Sequence, residues 1–390
     1  MSTIMDPAEL TEKVKTEALR LGFDLVGVTG PEPPPHLDVF ERWLDAGRHG
    51  EMTYLATERS RERREDPKRI LPECQSILIV GANCRGGAPR LENGRARIAA
   101  YAQGNDYHLV LVDRLQPLVA YIHDLSGLKE LQYRVYTDTG PILERELAQR
   151  AGIGWIGKNT CLINPKLGSY FLLAEILLGV RLVPDPPFSA DHCGSCTRCI
   201  QACPTNCILP DRTLDATRCI SYLTIEVKGT IPEDLRPSIG DWMFGCDICQ
   251  EVCPWNVRFS EPTSDPSFQP RPGLMDPRPE EFLGLSSDSW KYGLAQTALV
   301  RPRRRGLVRN AAIVAGNQRL PDRVGPLSAV LLDDPDPIVR AHAAWALGRI
   351  SGPEADATLL LAQASEQDHQ VLAEINAALQ PKDGGPDNKQ

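Results

Sequence analysis

The first half of the chain alternates between two spacings of apolar residues, one typical of helices and one typical of strands. From residue 6 to 21, apolar side chains recur every three to four positions, as on one face of a helix. Short apolar runs predict strands at 23–28, 76–83 and 133–138, and helical spacing returns at 41–54, 107–125 and 141–150. This alternation predicts an α/β domain over residues 1–185.

A different pattern begins after residue 185. Residues 186–260 are rich in Cys and Pro and contain few long periodic runs. Such a segment buries little apolar surface of its own, so we expect bound cofactors to supply part of its core. The proline-rich residues 261–280 predict a linker to the next domain.

Ala, Leu and Arg dominate the last hundred residues. From 281 to 380, apolar residues recur at helical spacing in several units, and residues 333–347 place a proline-bearing turn before a helix. The pattern is similar to HEAT-type repeats, although the units are few and irregular, and a plain helical bundle is the alternative. We therefore predict a helical HEAT-like domain, followed by a polar tail at 381–390.

Composition and charge narrow the class of protein. The 390 residues are 42% apolar and 24% charged, which is typical of a folded globular chain. The 43 Lys and Arg against 51 Asp and Glu give a net charge of -8. The chain is therefore not a polycation that coats nucleic acid, and any nucleic-acid site must be a local patch.

Neither end of the first domain predicts export or membrane insertion. The N-terminal residues form an acidic amphipathic pattern without the basic start and apolar run of a secretory signal. The most apolar stretch, residues 170–180, is interrupted by Glu175 and is shorter than the ~18 residues that a membrane helix requires. We expect a cytoplasmic protein without membrane contact.

Cysteine provides the clearest chemical signal. Nine of the twelve cysteines lie between Cys193 and Cys253. Because the cytoplasm keeps thiols reduced, this clustering indicates metal binding rather than disulfides. Four cysteines are more typical of small buried apolar residues than of metal ligands. They are Cys74, Cys84, Cys161 and Cys207.

The first part of this cluster has the spacing of a bacterial ferredoxin. Cys193, Cys196 and Cys199 are separated by two residues each, and Cys203 follows after three residues and precedes a proline. In this run three thiolates bind one [4Fe-4S] cluster and the fourth cysteine binds a second cluster. Zinc is the alternative, but four thiolates suffice for zinc and a second set follows.

The second set, Cys246, Cys249 and Cys253, lacks its first cysteine because Met243 stands at that position. By the crossing rule of such ferredoxins, Cys253 completes the first cluster. The second cluster then has Cys203, Cys246 and Cys249 and needs one more thiolate, either Cys207 or Cys219. We favour Cys219, because it begins a new segment, whereas Cys207 lies only four residues after Cys203.

Other motifs are less specific. Gly152–Gly157 matches the GxGxxG string, but it follows a predicted helix rather than a strand, which argues against dinucleotide binding. Asp138 precedes the helix predicted at 141, where a carboxylate commonly caps the helix; the alternative is a general acid at a sheet edge. His108 and His192 are each more typical of structural histidines.

An arginine run opens the helical region, and its members are Arg301, Arg303, Arg304, Arg305 and Arg309. Such a run is usually a solvated face. In an acidic chain it is also the one concentrated cationic segment, and guanidinium groups suit phosphate oxygens. We therefore predict that these arginines contact nucleic acid if the protein binds any.

Several strings together resemble one family. They are AGIGWIGKNTCLINPKLGSYFLLAEIL, HCGSCTRCIQACPTNCI, RCISYLTIEVKGTIPEDLR, FGCDICQEVCPWN and RRRGLVRNAAIVAGN. In this combination the chain resembles the epoxyqueuosine reductases, and similar strings extend from Arg64 to Trp345. The resemblance implies a cobalamin-binding α/β domain, a ferredoxin-like two-cluster segment and a C-terminal HEAT-like domain.

The resemblance also implies the reaction and its residues. Such an enzyme uses cobalamin and two [4Fe-4S] clusters to remove the epoxide oxygen of epoxyqueuosine at the wobble position of tRNA, with Asp138 as the proton donor. It implies the cluster ligands already named and a cobalamin without a protein histidine ligand. Matching motifs place the cobalamin contacts at Arg64, Tyr101, Asp138, Asn159, Ser169, Ser221 and Thr224. We expect a monomer that accepts electrons from an external low-potential donor.

Three other classes of protein share part of these features. A reductive dehalogenase also uses cobalamin and two clusters, but exported members carry a twin-arginine leader that we do not find in this sequence. A ferredoxin-like carrier would leave most of the chain without a role. A HEAT-type scaffold would account only for the last hundred residues.

Overall fold

The computed structural model describes residues 5–87 and 93–380, so the polar tail predicted at 381–390 lies outside the described residues. Within these ranges the α-helices are α1 Pro7–Arg20, α2 Leu37–Asp45, α3 Glu58–Glu65, α4 Tyr107–Ser126, α5 Glu144–Arg150, α6 Arg198–Ala202, α7 Ile220–Ile225, α8 Arg236–Ile239, α9 Ile248–Glu251, α10 Pro254–Phe259, α11 Pro279–Leu283, α12 Arg303–Gln318, α13 Val324–Asp333, α14 Pro337–Ile350, α15 Pro353–Ser365 and α16 His369–Leu379. The strands are β1 Leu25–Thr29, β2 Ser76–Asn83, β3 Arg97–Ile98, β4 Tyr133–Tyr136, β5 Trp155–Ile156, β6 Leu162–Ile163, β7 Phe171–Leu178 and β8 Trp242–Phe244.

The central sheet has the order β1-β2-β7-β4, and each neighbouring pair is antiparallel. Strands β2 and β7 pair along eight residues, from Ser76 opposite Leu178 to Asn83 opposite Phe171. Helices α1 and α4 cover one face of the sheet and α5 covers the other. Because both faces are covered, β2 and β7 are almost entirely apolar, a pattern more typical of parallel sheets. The predicted α/β domain is thus a helix-covered antiparallel sheet.

The helices and strands predicted from the sequence of this region agree with the structure to different degrees. The strand predicted at 76–83 is confirmed as β2, and the helix predicted at 107–125 is confirmed as α4. The helix predicted at 41–54 is wrong in its second half, because α2 ends at Asp45. Gly47 and Gly50 follow with φ of +68° and +57°, a left-handed backbone that ends a helix.

The cysteine-rich segment is joined to the sheet region by backbone pairing. Strand β3 pairs in parallel with β8, so residues before and after the cysteine run share a small sheet. Residues 261–280, predicted as a linker, pack against the first domain: the Thr263 N–H donates to the Arg85 carbonyl, and Phe268 is buried. This segment is therefore part of the folded core rather than a free connection.

Helices α12 to α16 pack against one another in the C-terminal part. Gly316 on α12 lies so close to Ala346 on α14 that a Cβ at this glycine would fall 2.8 Å from the Ala346 Cα. Such close helix contact needs small residues, which explains the alanine-rich sequence. The Asn310 side chain donates to the carbonyls of Thr224 and Met243, which fixes α12 to the cysteine-rich segment.

Within the described ranges, no helix combines the length and the apolar character that crossing a membrane requires.

Candidate functional site

Four of the predicted cluster ligands border one cavity. Cys193, Cys196, Cys199 and Cys253 line a cavity of about 170 Å³. The first three come from the loop before and the first turn of α6, and Cys253 immediately precedes α10. No three of the His, Cys, Asp and Glu side chains that the structure describes come close enough to share one metal ion. The four thiols instead surround a volume, and four thiolates are the donor set of a [4Fe-4S] cluster.

The second group of thiols lies in the same segment. Cys203, Cys219, Cys246 and Cys249 are close enough to influence one another's pKa, with Cys219 acting on both Cys246 and Cys249. The Cys219 thiol also accepts hydrogen bonds from the backbone of Ser221 and Tyr222 at the start of α7. Cys219 therefore lies near the three predicted partners, and so does Cys207, which hydrogen-bonds with Cys203 and Cys219. The choice of Cys219 as the fourth ligand stays a prediction.

Two cysteines outside the predicted ligand set also contact it. The Cys207 Sγ lies 3.4 Å from the Cys203 Sγ, and this hydrogen bond is the main reason that the pKa of Cys203 falls to about 5. The Cys161 thiol hydrogen-bonds with that of Cys249. The sequence analysis expected Cys161 to be an ordinary buried residue and weighed Cys207 as the alternative fourth ligand. Cys74, Cys84 and Cys207 are buried as predicted, and Cys161 is partly exposed.

Asp138 occupies a strained turn between β4 and α5. Its φ is +55°, in the left-handed region that non-glycine residues seldom adopt. The first residue of α5 is Glu144, and its N-cap is Leu143, which makes no side-chain capping bond. The interpretation of Asp138 as a helix cap is therefore wrong. Its side chain is 66% exposed.

Side chains from α4 hold this carboxylate. The Tyr107 hydroxyl donates to Asp138 Oδ2 at 2.7 Å, and His108 Nε2 lies 3.9 Å from the same oxygen. The other nitrogen of His108 lies 2.7 Å from Asp106 Oδ1, so the imidazole stands between two carboxylates. Sequence reasoning classed His108 as structural and did not single out Tyr107.

Two further carboxyl groups extend from Asp138 toward the core. Glu144 Oε1 accepts a hydrogen bond from the Asp138 N–H at 2.7 Å. Burial, and then the nearby Asp138 charge, raise the pKa of Glu144 to about 8. Glu175 on β7 is fully buried, and neither of its side-chain oxygens has a hydrogen-bond partner among the described residues. Burial, followed by Glu144 and Asp138, raises its pKa well above the usual range.

The predicted cobalamin contacts fall in three places. Arg64 and Tyr101 lie in the region of Asp138: Arg64 is buried over the Phe40 ring, and Tyr101 meets Tyr107 edge-on. The pKa of Arg64 is lowered mainly by burial. A buried guanidinium with no ion pair among the described residues is suited to an uncharged or anionic group of a ligand.

Asn159 and Ser169 lie beside the cysteines instead. Asn159 lines the cavity of the first thiol group, and its Nδ2 is buried without a partner in the described part of the chain. The Ser169 hydroxyl donates to Gln250 Oε1 and accepts from Asn256 Nδ2, both in the second cysteine set's region. The orphaned amide of Asn159 is a donor suited to a bound group.

The third place is α7, which carries Ser221 and Thr224. Ser221 is half-buried. Thr224 is fully buried, and its hydroxyl donates to the Ile220 carbonyl and accepts from the Gly245 N–H. The donor of the Thr224 side chain is therefore already used, so this structure does not support a hydroxyl contact from Thr224 to a cofactor.

The arginine run does not form one surface. Arg309 is 1% exposed and donates to the carbonyls of Leu223, Val227 and Gly229. The expectation that Arg309 contacts nucleic acid is corrected, since all of its donors face the protein interior. Burial also lowers the pKa of Arg309 to about 9.

The other four arginines differ in their surroundings. Arg304 pairs with Asp334 and donates to the Leu285 carbonyl, and Arg305 lies 3.6 Å from Asp336. Arg303 is exposed.

Arg301 lies near Asp138 and the side chains around it, Tyr107, His108, Glu144 and Glu175, which are named below the Asp138 group. Its guanidinium makes two hydrogen bonds to Glu226, at 2.9 and 3.1 Å, and lies over the Tyr54 ring. The negative charge of Asp138 contributes to the raised pKa of Arg301, after the larger effect of Glu226. Lys228, which sequence reasoning missed, has its pKa lowered by burial and then by Arg301 and Arg303. Arg301, Arg303 and Lys228 thus form a cationic edge on the Asp138 side, named below the Asp138 edge.

Known proteins resemble this chain in sequence and in structure. Family models match at residues 64–139, described as epoxyqueuosine reductase QueG, DUF1730; at 192–256, described as a 4Fe-4S double cluster binding domain; and at 298–380, described as HEAT repeats. An epoxyqueuosine reductase from Pseudomonas aeruginosa is 39% identical over 351 residues, which cover 88% of this chain and 95% of the relative.

Solved structures match over nearly the whole chain. A crystal structure of epoxyqueuosine reductase with an epoxyqueuosine-modified tRNA stem loop has a TM-score of 0.87 at 31% identity, covering 95% of this chain and 98% of that one. A structure of the enzyme from Bacillus subtilis, with a catalytic aspartate loop swung out of the active site, has a TM-score of 0.87 at 30% identity and the same coverage.

Proposed function

The chain belongs to the epoxyqueuosine reductase family, and we propose that it reduces epoxyqueuosine in tRNA to queuosine. The reaction removes the epoxide oxygen as water and leaves a carbon–carbon double bond, so it consumes two electrons and two protons. One observation carries the proposal. The same fold holds two groups of four cysteines, suited to clusters that supply electrons, and a carboxyl group, Asp138, suited to supply protons. The identity along the chain to epoxyqueuosine reductases supports the substrate.

Asp138 supplies a proton to the departing oxygen in this proposal. Its carboxylate is exposed enough to meet a substrate, and Tyr107 fixes one of its oxygens. The C–O bond of an epoxide breaks slowly unless the oxygen is protonated as it leaves, which is the role of a general acid. The left-handed backbone at Asp138 is held by Glu144, which accepts from its N–H. Strain of this kind is commonly kept at functional sites.

Glu144 and Glu175 maintain the proton supply behind Asp138. Burial favours their uncharged forms, so both groups hold a proton when Asp138 gives one up. A negative charge at Asp138 also raises the proton affinity of Glu144, as like charges do. We propose that the buried pair keeps the region beneath Asp138 free of further negative charge during turnover.

The two thiol groups fit [4Fe-4S] clusters. We assign Cys193, Cys196, Cys199 and Cys253 to the first cluster and Cys203, Cys219, Cys246 and Cys249 to the second. The number of thiols, their two separate groups and the cavity at the first group support this assignment. These cysteines would hold the clusters, which would supply electrons one at a time.

We propose that cobalamin binds beside Asp138. The buried Arg64, which has no ion pair among the described residues, and the Asn159 amide at the first cysteine cavity are donors suited to its amide and phosphate groups. When bound, cobalamin supplies a low-potential metal centre that can transfer electrons to the epoxide. The chain's own residues orient the ligand and exclude water, with Tyr101 and Tyr107 as the aromatic wall next to Asp138.

The tRNA binds along the Asp138 edge in this proposal. Arg301 and Lys228 lie beside Arg303, and Arg301 is in electrostatic contact with Asp138. Phosphates that meet this edge would place the modified base near Asp138. We propose that the protein acts in the cytoplasm as a monomer.

The direct test is a nucleoside analysis. Anaerobically purified protein with reconstituted clusters and cobalamin is incubated with a reductant and with tRNA that carries epoxyqueuosine. We expect queuosine in the digested tRNA, detected by mass spectrometry. Retention of epoxyqueuosine by fully loaded protein would contradict the proposed reaction, while cluster absorbance without cobalamin binding would favour a simple electron carrier.

A further inference from the structure

The two thiol groups differ in their access to the surface. Around the first group, the residues that alternate with the cysteines are exposed, including His192, Gly194 and Arg198. In the second group, Gly245 and Asp247, which flank Cys246, are buried. Because electron transfer between proteins requires close approach of the redox centres, we expect an external donor to reach the first group more readily.

The cavity of the first group is lined by positive charge. Lys158, Arg198 and Arg258 all border it, and the described lining includes no Asp or Glu. This composition stands out in a chain of net charge -8. A local cationic surface on an acidic protein attracts a negatively charged partner to that one place.

The three cations have different roles. Lys158 Nζ donates to the Gly194 and Cys196 carbonyls at 2.6 and 2.9 Å, so it stabilises the cysteine loop itself. Arg198 and Arg258 are exposed, and neither makes an ion pair within the described ranges. Arg258 lies over the Phe259 ring, 5.8 Å from its centroid. The two arginines are therefore free to meet a partner.

An apolar surface lies beside these charges. Val257 on α10 is 69% exposed and precedes Arg258. Behind it, the Trp255 ring contacts those of Trp155 and Phe259, with centroids 5.0 and 5.3 Å apart, which makes a rigid wall along the cavity. A small apolar centre with a charged rim is the usual form of a transient electron-transfer interface.

We propose that this surface, formed by Arg198, Val257 and Arg258, docks an acidic one-electron carrier protein that reduces the first cluster. The inference rests on the proposed function, since it requires a cluster at the first thiol group. In each encounter one electron leaves the reduced cofactor of the carrier and enters the cluster, without transfer of a proton or group. The tRNA is also acidic, but it must reach Asp138, and the Asp138 edge serves that purpose.

The test uses the holoprotein and its Arg198→Glu/Arg258→Glu variant. Reduced flavodoxin, an acidic carrier, is mixed with each protein, and the rate of cluster reduction is followed at increasing salt. We expect the variant to be slower by about tenfold or more at low salt, and its rate to lose the salt dependence of the parent. A Lys129→Glu/Arg134→Glu variant, with the same change of net charge on exposed residues away from the cavity, should react as the parent does.

Three results would overturn the inference. The first is an unchanged rate and salt dependence with flavodoxin. The second is an equal slowing with photoreduced deazaflavin, a small reductant without net charge, or a loss of iron, since the arginines would then serve the cluster itself. The third is weaker tRNA binding with unchanged reduction by flavodoxin. A failure of the proposed function is distinguishable, because the parent protein would then be reduced by flavodoxin and still leave epoxyqueuosine in the tRNA unchanged.

Discussion

The cysteine run and the arginine run each occupy only about ten residues, yet their side chains are distributed in different ways. Cys193, Cys196 and Cys199 border one cavity. Arg304 and Arg309 point into different parts of the protein, while Arg303 is exposed. The cysteines lie on a loop and a short turn that can wrap around a ligand. The arginines from Arg303 onward lie on α12, where successive residues turn by about 100° around the helix axis.

This difference shows what spacing in a sequence can establish. Metal ligands must converge on a shared object, so their spacing carries the geometry of the site. Charged residues along a helix need not contact a common ligand, so each can form its own ion pair, as Arg304 does with Asp334. The comparison yields five predictions.

The largest effect is expected at the cysteines. Cys219→Ala should lose about half of the bound iron and all activity, because one of two clusters loses a ligand. Cys207→Ala should keep nearly all of its iron, although Cys207 contacts Cys203. Iron and sulfide per chain measure this, with the buried Cys74→Ala as the matched control. Full iron content in the Cys219 variant would refute the assignment.

Asp138 comes next. Asp138→Asn should retain clusters and cobalamin but lower turnover by roughly 10²- to 10⁴-fold, as loss of a general acid does. Tyr107→Phe should cost less, because it removes one hydrogen bond to Asp138. The exposed Asp113→Asn serves as the control in single-turnover assays. Parent-like turnover in the Asp138 variant would exclude it as the proton donor.

Arg309 should matter for stability. Arg309→Ala leaves the buried carbonyls of Leu223, Val227 and Gly229 without their donor. We expect the free energy of unfolding to fall by about 2–4 kcal/mol, as for other losses of buried hydrogen bonds. Chemical denaturation measures it, and Arg303→Ala should change stability by less than about 0.5 kcal/mol. Equal changes in the free energy of unfolding for the two substitutions would contradict the different roles assigned to Arg309 and Arg303.

The exposed arginine should instead affect tRNA binding. Arg303→Ala with Lys228→Ala should weaken binding and lower the slope of log affinity against log salt by about one unit for each lost phosphate contact. Arg305→Ala, which removes a charge paired with Asp336, is the control and should leave the slope nearly unchanged. An unaltered slope in the double variant would place the tRNA on another surface.

The smallest effect concerns pH. Glu144 stays protonated in the folded protein up to about pH 8, whereas in the unfolded chain it ionises near its ordinary pKa of 4.5. Between these values the folded state binds the extra proton, so stability falls as pH rises. Glu144→Gln should reduce this slope in denaturation measured between about pH 5 and 8. A slope unchanged by the substitution would show that Glu144 is not the group responsible.

Much of the fold and of the thiol groups could be predicted from the sequence, but the Asp138 group could not. Strand β2 and the ferredoxin-like cysteine loop are each determined by residues that lie close together in the sequence, so the sequence alone predicts them. Asp138, by contrast, meets Tyr107 from α4 and, through Glu144, the buried Glu175 on β7. Only the folded sheet brings these segments together. One signal was present in the sequence, since Glu175 interrupts the most apolar stretch of the chain.

The prediction for Arg309, one member of the arginine run, was wrong for a related reason. Its charge is visible in the sequence, but the burial of Arg309 depends on the packing of α12 against the segment that follows Cys219. The antiparallel order of the sheet was equally hidden, because strands covered on both faces carry no alternation that reports their direction.

We propose that this chain delivers electrons and protons to the epoxide of epoxyqueuosine in tRNA. The most direct measurement is a single turnover without added reductant. Protein loaded with both clusters and cobalamin is reduced, freed of reductant, and mixed with an epoxyqueuosine-modified stem loop. We expect queuosine to form as the clusters reoxidise, with two electrons consumed for each product molecule. Reoxidation without queuosine, or reduced clusters that persist beside bound substrate, would contradict it.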